Sequence, residues 1–213
     1  MNYLAVKNLI MEKSNIEILQ EFAERSNRKL YFQEGQYPLS TYRQIPRFKR
    51  TAYIPNNTNE TCYFVLSGDP YNSVDKLNTF CGVYFPLEIP LSTKINLREK
   101  NILDKINPFL SSKILKTRYA NFDSRVVTTG NSIHLVKKYL QDIRFNDVVV
   151  DTLSKSPELN FSINESNVDF VPALKGKSHF AIINPQKWVL DSSVIEQWFK
   201  IIDIIRQSII KIE

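Results

Sequence analysis

The chain has 213 residues, of which 43% are hydrophobic and 23% are charged, close to the average for soluble globular domains. This composition excludes wholesale disorder, a collagen-like repeat and a small disulfide scaffold. Lys and Arg number 28 against 22 Asp and Glu, which gives a net charge of +6. A moderate positive charge favours encounters with an anionic partner, namely nucleic acid, anionic lipid or acidic protein, without choosing among them.

The sequence has no stretch approaching the roughly 18 apolar residues that a membrane-spanning helix requires. Charged residues interrupt its first 22 residues, so they do not resemble a secretory signal. We therefore expect a cytoplasmic protein, either free or peripheral to the membrane. Cys62 and Cys81 are then reduced thiols. We interpret them as two small buried apolar side chains, brought close together across a hairpin.

The first half of the chain, residues 1–120, predicts a helical segment followed by an antiparallel sheet. Residues 3–25 have helical apolar spacing, with Ser14 and Glu17 placed as a capping box. Runs rich in aromatic and β-branched residues then alternate with Gly, Pro and Asn, which is typical of short strands. These runs cover 30–32, 51–54, 61–66 and 79–89. Residues 92–120 are predicted to extend the sheet and then form a loop-rich connection.

The second half, residues 121–213, predicts a strand, two helices, a β-meander and a long helix. The expected strands are 122–130, 159–164, 168–174 and 178–184. One expected helix follows a cap at Asn131 or Ser132, a second runs from about 146 to 153, and the long helix begins at a capping box of Ser193 and Glu196. We predict an α+β fold with a curved antiparallel sheet or partial barrel, in which the last helix covers the sheet. The two halves are either separate domains or one continuous domain.

No motif in the sequence predicts catalysis. The five glycines form no phosphate-binding loop, and the two histidines, His134 and His179, form no zinc motif. We expect no catalytic residue, cofactor or metal, with His134 facing solvent near a helix start and His179 at the surface or edge of a strand. A hydrolase site assembled from dispersed Ser, His and Asp stays the alternative, because triads are defined by geometry rather than order.

The sharpest surface feature is the run RQIPRFKR, in which basic and aromatic residues alternate. Its candidate anion-binding residues are Arg43, Arg47, Lys49 and Arg50, and they lie beside Tyr42 and Phe48. Single-stranded nucleic-acid platforms combine cations for phosphates with rings for bases, and anionic lipid attracts the same cations. The alternative interpretation is a solvated loop that enters a strand, with Phe48 in the core.

In order and spacing, four segments of the chain resemble a bacterial protein family of unknown function. The segments are 79–89, 122–140, 159–164 and 192–209. Members of that family often carry a transmembrane hairpin before a soluble C-terminal region, and this sequence shows no such hairpin. The resemblance implies no catalytic residues. Our first hypothesis is therefore a non-catalytic binding or scaffold module of a bacterial cytoplasm.

Overall fold

The computed structural model describes residues 14–38, 47–56, 61–69, 79–106 and 114–211. These residues form one antiparallel sheet of eight strands. The strands are β1 Tyr31–Gln36, β2 Phe48–Pro55, β3 Tyr63–Gly68, β4 Thr79–Leu87, β5 Ile95–Glu99, β6 Val126–Gly130, β7 Asn160–Ile163 and β8 Ser178–Asn184. Their order across the sheet is β1-β2-β3-β4-β8-β7-β5-β6, so the sheet is open and curved, with β1 and β6 at its two edges.

Within the described ranges six helices accompany the sheet, which confirms the predicted α+β class. They are α1 Asn15–Arg25, α2 Leu103–Ile106, α3 Ala120–Arg125, α4 Ile133–Tyr139, α5 Ile143–Lys155 and α6 Ser192–Ile210. The capping box of α1 is confirmed, because the Ser14 hydroxyl accepts a hydrogen bond from the Glu17 N–H at 3.3 Å and the Glu17 carboxylate accepts one from the Ser14 N–H at 2.7 Å. Residues 3–13 of the predicted helical segment lie outside the described residues.

The capping box predicted for the last helix is wrong. Asp191 is the N-cap of α6, and its carboxylate accepts hydrogen bonds from the backbone N–H groups of Ser193 and Val194 at 2.8 and 3.4 Å. Glu196 instead forms an ion pair with Arg28, which precedes β1. The Glu196 carboxylate therefore forms a tertiary ion pair instead of the helix cap that the local sequence pattern predicted.

One face of the sheet, which we call the helix face, packs against α1, α4, α5 and α6. The helix α6 buries Trp198, Ile202 and Ile205 in the same core that holds Val83 and Phe85 of β4. This confirms the prediction that the broad apolar stripe of the last helix covers the sheet. Burying each such side chain stabilises the fold by about 1.5–3 kcal/mol. Most of the buried apolar residues that the structure describes belong to this layer.

The opposite face, which we call the loop face, is covered in its centre by residues 164–177. This connection between β7 and β8 places Val168, Val171 and Leu174 against β3, β4 and β8. The prediction of a strand over 168–174 is wrong, since turns form there: the Val171 N–H donates to the Val168 carbonyl and the Leu174 N–H to the Val171 carbonyl. The alternating apolar residues fill the loop face and pair with no strand.

Two further expectations are wrong. Residues 122–125, expected in a strand, belong to α3, and the strand β6 begins only at Val126. Cys81 lies opposite Leu66 in the sheet, whereas Cys62 precedes β3, so the hairpin does not bring the two cysteines together. Both thiols are nevertheless free and buried, as interpreted from the sequence.

The strands of the two halves of the sequence share the same sheet. The strand β4 from the first half pairs with β8, and β5 pairs with both β6 and β7. Within residues 92–120, β5 is the predicted extension of the sheet, and α2 lies in the connection that follows it. Residues 107–113 of that connection lie outside the described part of the chain.

Candidate functional site

The strands β1 and β2 form what we call the open end of the sheet. All six residues of β1 are exposed, and β1 is the edge strand. On the loop face of this end lies a cleft of about 370 Å³, which we call the aromatic cleft. It is lined by Leu30, Tyr31, Phe32, Gln33, Thr51, Tyr53, Phe170 and Pro172. The last two residues come from the connection that covers the centre of the loop face, so the cleft lies where that cover ends.

Two stacked tyrosines form one wall of the aromatic cleft. Tyr31 and Tyr53 lie directly opposite each other in the β1–β2 pairing, and their rings stack with centroids 4.6 Å apart and an interplanar angle of 8°. The Lys29 ammonium lies 4.8 Å from the centroid of the Tyr31 ring. Tyr63 of β3 contacts the Tyr53 ring edge-on, at 6.5 Å. These contacts on both sides favour the stacked arrangement of the two rings.

The β-strand geometry separates two of the predicted cations. Lys49 lies on the loop face with Thr51 and Tyr53, because side chains alternate along a strand. Its ammonium is 3.4 Å from the carboxylate of Asp69, and that carboxylate also accepts a hydrogen bond from the Tyr37 hydroxyl at 2.7 Å. The Lys49 side chain is 56% exposed, which leaves its ammonium accessible to a ligand.

Arg50 lies on the helix face of the open end. Its guanidinium forms an ion pair with Glu34, the residue directly opposite it on β1, and lies 5.2 Å from the centroid of the Phe48 ring. Phe48 is half-buried. Arg47 precedes β2, is exposed, and its carbonyl accepts a hydrogen bond from the Tyr37 N–H at 2.9 Å. Arg43 lies outside the described residues.

The sequence patterns did not single out the residues of the aromatic cleft. Tyr31 and Tyr53 belong to two predicted strands, and pairing those strands in the right register would have placed the two rings together. No local signal points to Phe170, since its segment shows the period-two pattern of a strand. Lys29 is not a lining residue of the cleft, and the contact of its ammonium group with the Tyr31 ring places it beside the cleft. The cleft therefore depends on register and on the path of a loop.

The two histidines lie in different surroundings. His134 is at the exposed start of α4, as predicted, with the Ser132 hydroxyl 3.3–3.4 Å from its ring nitrogens. His179 is 6% exposed on the central strand β8, so its expected surface position is wrong. Burial lowers the pKa of His179, and its ring lies 5.6 Å from the ring of Tyr84. No carboxylate in the described chain is hydrogen-bonded to either histidine.

The cysteines and carboxylates also form no reactive cluster in the part of the chain that the structure describes. No three His, Cys, Asp or Glu residues there are grouped so that they could hold a metal ion. Burial raises the pKa values of Cys62 and Cys81 to about 12. Both side chains therefore stay protonated thiols at neutral pH, and a thiol is a far weaker nucleophile than a thiolate.

Comparisons of the chain with protein-family models, with curated proteins and with solved structures give no match. The bacterial family that four segments resemble therefore stays a prediction. Among the described residues, no helix combines the length and the apolar character that crossing a membrane demands. The geometry of the aromatic cleft is accordingly the strongest basis for a functional proposal.

Proposed function

We propose that the protein is a non-catalytic binding module of a bacterial cytoplasm that takes single-stranded nucleic acid in the aromatic cleft. One observation carries this proposal: the stacked wall of Tyr31 and Tyr53 lies beside a cleft of about 370 Å³ on a sheet face that also presents Lys29 and Lys49. Flat aromatic walls favour flat ligands, and ammonium groups favour phosphates. A nucleotide strand carries flat bases and phosphates at regular spacing.

The lining of the cleft suits a base better than an aliphatic chain. Phe170 and Pro172 line the same cleft as the two tyrosines, so we expect a planar ring there to make apolar contacts with both groups. Stacking of a base on an aromatic side chain contributes about 1–3 kcal/mol and is tolerant of sequence. Gln33 and Thr51 add polar groups that hydrogen-bond to a base edge or a sugar. We therefore expect binding without strong base preference.

The charges around the cleft limit the affinity. Asp69 offsets part of the charge of Lys49, and Glu34 neutralises Arg50 on the other face. Lys29 and Lys49 are then the two described cations placed to contact phosphates. Each phosphate contact on a single strand contributes a slope of about −0.7 to the plot of log affinity against log salt. We expect a total slope near −1.4, shallower than that of a dedicated nucleic-acid protein.

The test is fluorescence anisotropy with a labelled oligo-dT and oligo-U over a range of salt concentrations. Tyr31→Ala removes half of the stacked wall and is expected to weaken binding about tenfold. Lys29→Gln is expected to reduce the salt slope by about half. Tyr119→Ala is the matched control, because Tyr119 is 38% exposed and Tyr31 is 37% exposed, and Tyr119 lies beside α3, next to the opposite edge strand β6.

The results that contradict the proposal are specific. Equal weakening by Tyr119→Ala and Tyr31→Ala places the binding outside the cleft. Wild-type protein that binds vesicles of anionic lipid but neither oligonucleotide overturns the proposal in favour of a membrane surface. Full binding by Tyr31→Ala removes the role of the stacked wall.

A further inference from the structure

A second pocket lies between α6 and the turn that follows β4, and it shares no residue with the aromatic cleft. Its volume is about 220 Å³. It is lined by Thr61, Phe85, Pro86, Leu87, Glu88, Arg206, Ile209 and Ile210. Most of these side chains are apolar, and two are oppositely charged. We call it the α6 pocket.

Arg206 is the unusual residue of the α6 pocket. Its Nε is buried and has no hydrogen-bond partner within the described part of the chain, and none of the ion pairs found there includes it. The two terminal nitrogens of this guanidinium are not among the buried atoms, so these nitrogens, rather than Nε, are the donors that a ligand in the pocket can contact. The guanidinium fork is suited to a carboxylate, which accepts two parallel hydrogen bonds.

The acidic neighbours of Arg206 have separate positions. Asp203, one turn earlier on α6, accepts a hydrogen bond from the Cys62 thiol at 3.6 Å. Glu88 lines the α6 pocket and is exposed at the turn after β4. A purely anionic ligand on Arg206 meets repulsion from Glu88, whereas a ligand with an additional ammonium group satisfies both charges. The charges of the pocket therefore favour a small zwitterion.

The size and apolar floor of the pocket define the rest of the ligand. Leu87 of β4 and Ile210 of α6, which is 57% exposed, offer apolar surface to a ligand, whereas Phe85 and Ile209 are 2% and 0% exposed. A dry apolar cavity of about 150 Å³ holds a benzene molecule, so a volume of about 220 Å³ accommodates a side chain the size of leucine or phenylalanine.

We infer that the α6 pocket binds a free apolar α-amino acid, with its carboxylate on the terminal nitrogens of Arg206, its ammonium group on Glu88 and its side chain against Leu87 and Ile210. The inference does not depend on nucleic-acid binding, since the two sites have no residue in common. It adds a small-molecule site to a fold whose proposed function needs only the open end.

The test is titration of the ¹⁵N-labelled protein by NMR with L-leucine and L-phenylalanine. Two leucine analogues separate the charges: 4-methylpentanoate lacks the ammonium group, and 3-methylbutylamine lacks the carboxylate. We expect wild-type protein to bind leucine at least about tenfold more tightly than either analogue, since each analogue loses one charge-assisted contact. The resonances that move are expected to belong to the turn after β4 and the last two turns of α6.

Two variants make the assignment falsifiable. Arg206→Gln is expected to weaken leucine and 4-methylpentanoate about tenfold while tightening 3-methylbutylamine, because it removes a cation that repels the ammonium group. Glu88→Gln is expected to weaken leucine and 3-methylbutylamine while tightening 4-methylpentanoate. This crossed pattern does not arise from partial unfolding, and Glu88 is an exposed residue whose substitution leaves the core intact. Lys200→Gln, at an exposed position of the same helix, is the control with no expected effect.

The inference fails if neither amino acid shifts any resonance of the wild-type protein at about 10 mM, a concentration well above the millimolar affinity of a weak site. It also fails if Arg206→Gln binds leucine as the wild type does. Wild-type protein that prefers 4-methylpentanoate to leucine overturns the role of Glu88, and with it the zwitterion.

Discussion

The centre of the sheet and its open end are built from the same kind of strand but have different surroundings. All seven residues of β8 are buried, since α6 and its neighbours cover one face and the 164–177 connection covers the other. All six residues of β1 are exposed. The difference arises because both covers stop short of β1, the helices on one face and the 164–177 connection on the other. Where this cover ends, the rings of Tyr31 and Tyr53 are left to line a cleft.

The two strands have sequences that reflect these surroundings. The strand β8 reads SHFAIIN, a nearly continuous apolar run, as a strand covered on both faces does. The strand β1 reads YFQEGQ, with two rings followed by polar residues. A ring that is 37% exposed on an edge strand adds little to stability, which makes its chemistry available for binding.

The largest expected difference between the two regions is in the free energy of unfolding when a glycine of each is replaced by alanine. A Cβ at Gly82 of β4 would lie 2.2 Å from the Ile182 carbonyl oxygen of β8, whereas a Cβ at Gly35 of β1 would have no neighbour within 4 Å. We expect Gly82→Ala to destabilise the protein by about 4 kcal/mol or more, because backbone must move. Gly35→Ala is expected to be neutral or stabilising by about 0.5 kcal/mol. Urea unfolding of both variants measures this, and similar losses would contradict the comparison.

A smaller effect is expected where α1 joins the open end to α6. The Arg28 side chain is 8% exposed and donates to the Glu196 carboxylate, with its guanidinium 4.7 Å from the centroid of the Phe199 ring. Glu196→Ala leaves this guanidinium buried without its ion-pair partner, and we expect a loss of about 2 kcal/mol. Thermal unfolding measures the loss.

The control for this ion pair is an exposed one. Asp151 and Lys155 of α5 are 62% and 68% exposed, respectively, and exposed pairs of this kind contribute at most about 0.5 kcal/mol. Asp151→Ala is therefore expected to change the free energy of unfolding by less than that amount. A larger loss from Asp151→Ala than from Glu196→Ala would show that burial of Arg28 has no energetic role.

The smallest effect is expected in the pH dependence of stability. Burial lowers the pKa of His179 below its ordinary value of 6.5. Between pH 6.5 and that lower pKa, the unfolded chain binds a proton that the folded protein does not, so stability falls as the pH falls, by at most about 1.4 kcal/mol per pH unit. His179→Phe is expected to remove this slope, as measured by urea midpoints from pH 7 to pH 5. An unchanged slope, or the same flattening in the exposed-site variant His134→Gln, would contradict it.

Local sequence signals predicted the parts of the fold that local chemistry determines. The strands β1 to β4, β7 and β8 follow from aromatic and β-branched runs between turn residues, and the cap of α1 from Ser14 and Glu17. The signals failed at residues 122–125, where a strand was predicted. The Asp123 carboxylate, within α3, accepts hydrogen bonds from the Thr117 hydroxyl and the Arg118 N–H just before the helix, and the strand pattern gives no sign of these contacts.

The candidate site was less accessible to sequence analysis than the fold. The run RQIPRFKR looks like one cluster in the sequence, but a strand directs neighbouring side chains to opposite faces. Lys49 and Arg50 therefore lie on different faces and form ion pairs with different carboxylates, Asp69 and Glu34 respectively. Glu34 lies on β1 and Asp69 directly follows β3, and only the register between strands identifies them as partners. Apolar alternation likewise does not distinguish a paired strand from a loop that fills a face, as at 168–174.

The pairing of β4 with β8 also has a consequence for the making of the protein. A ribosome releases β1 to β4 first, while β8 follows only after most of the second half of the chain has been made. During that interval the apolar strand β4 lacks its neighbour and offers unsatisfied backbone groups to any other nascent chain. We therefore expect newly made molecules to depend on chaperones until translation reaches residue 184.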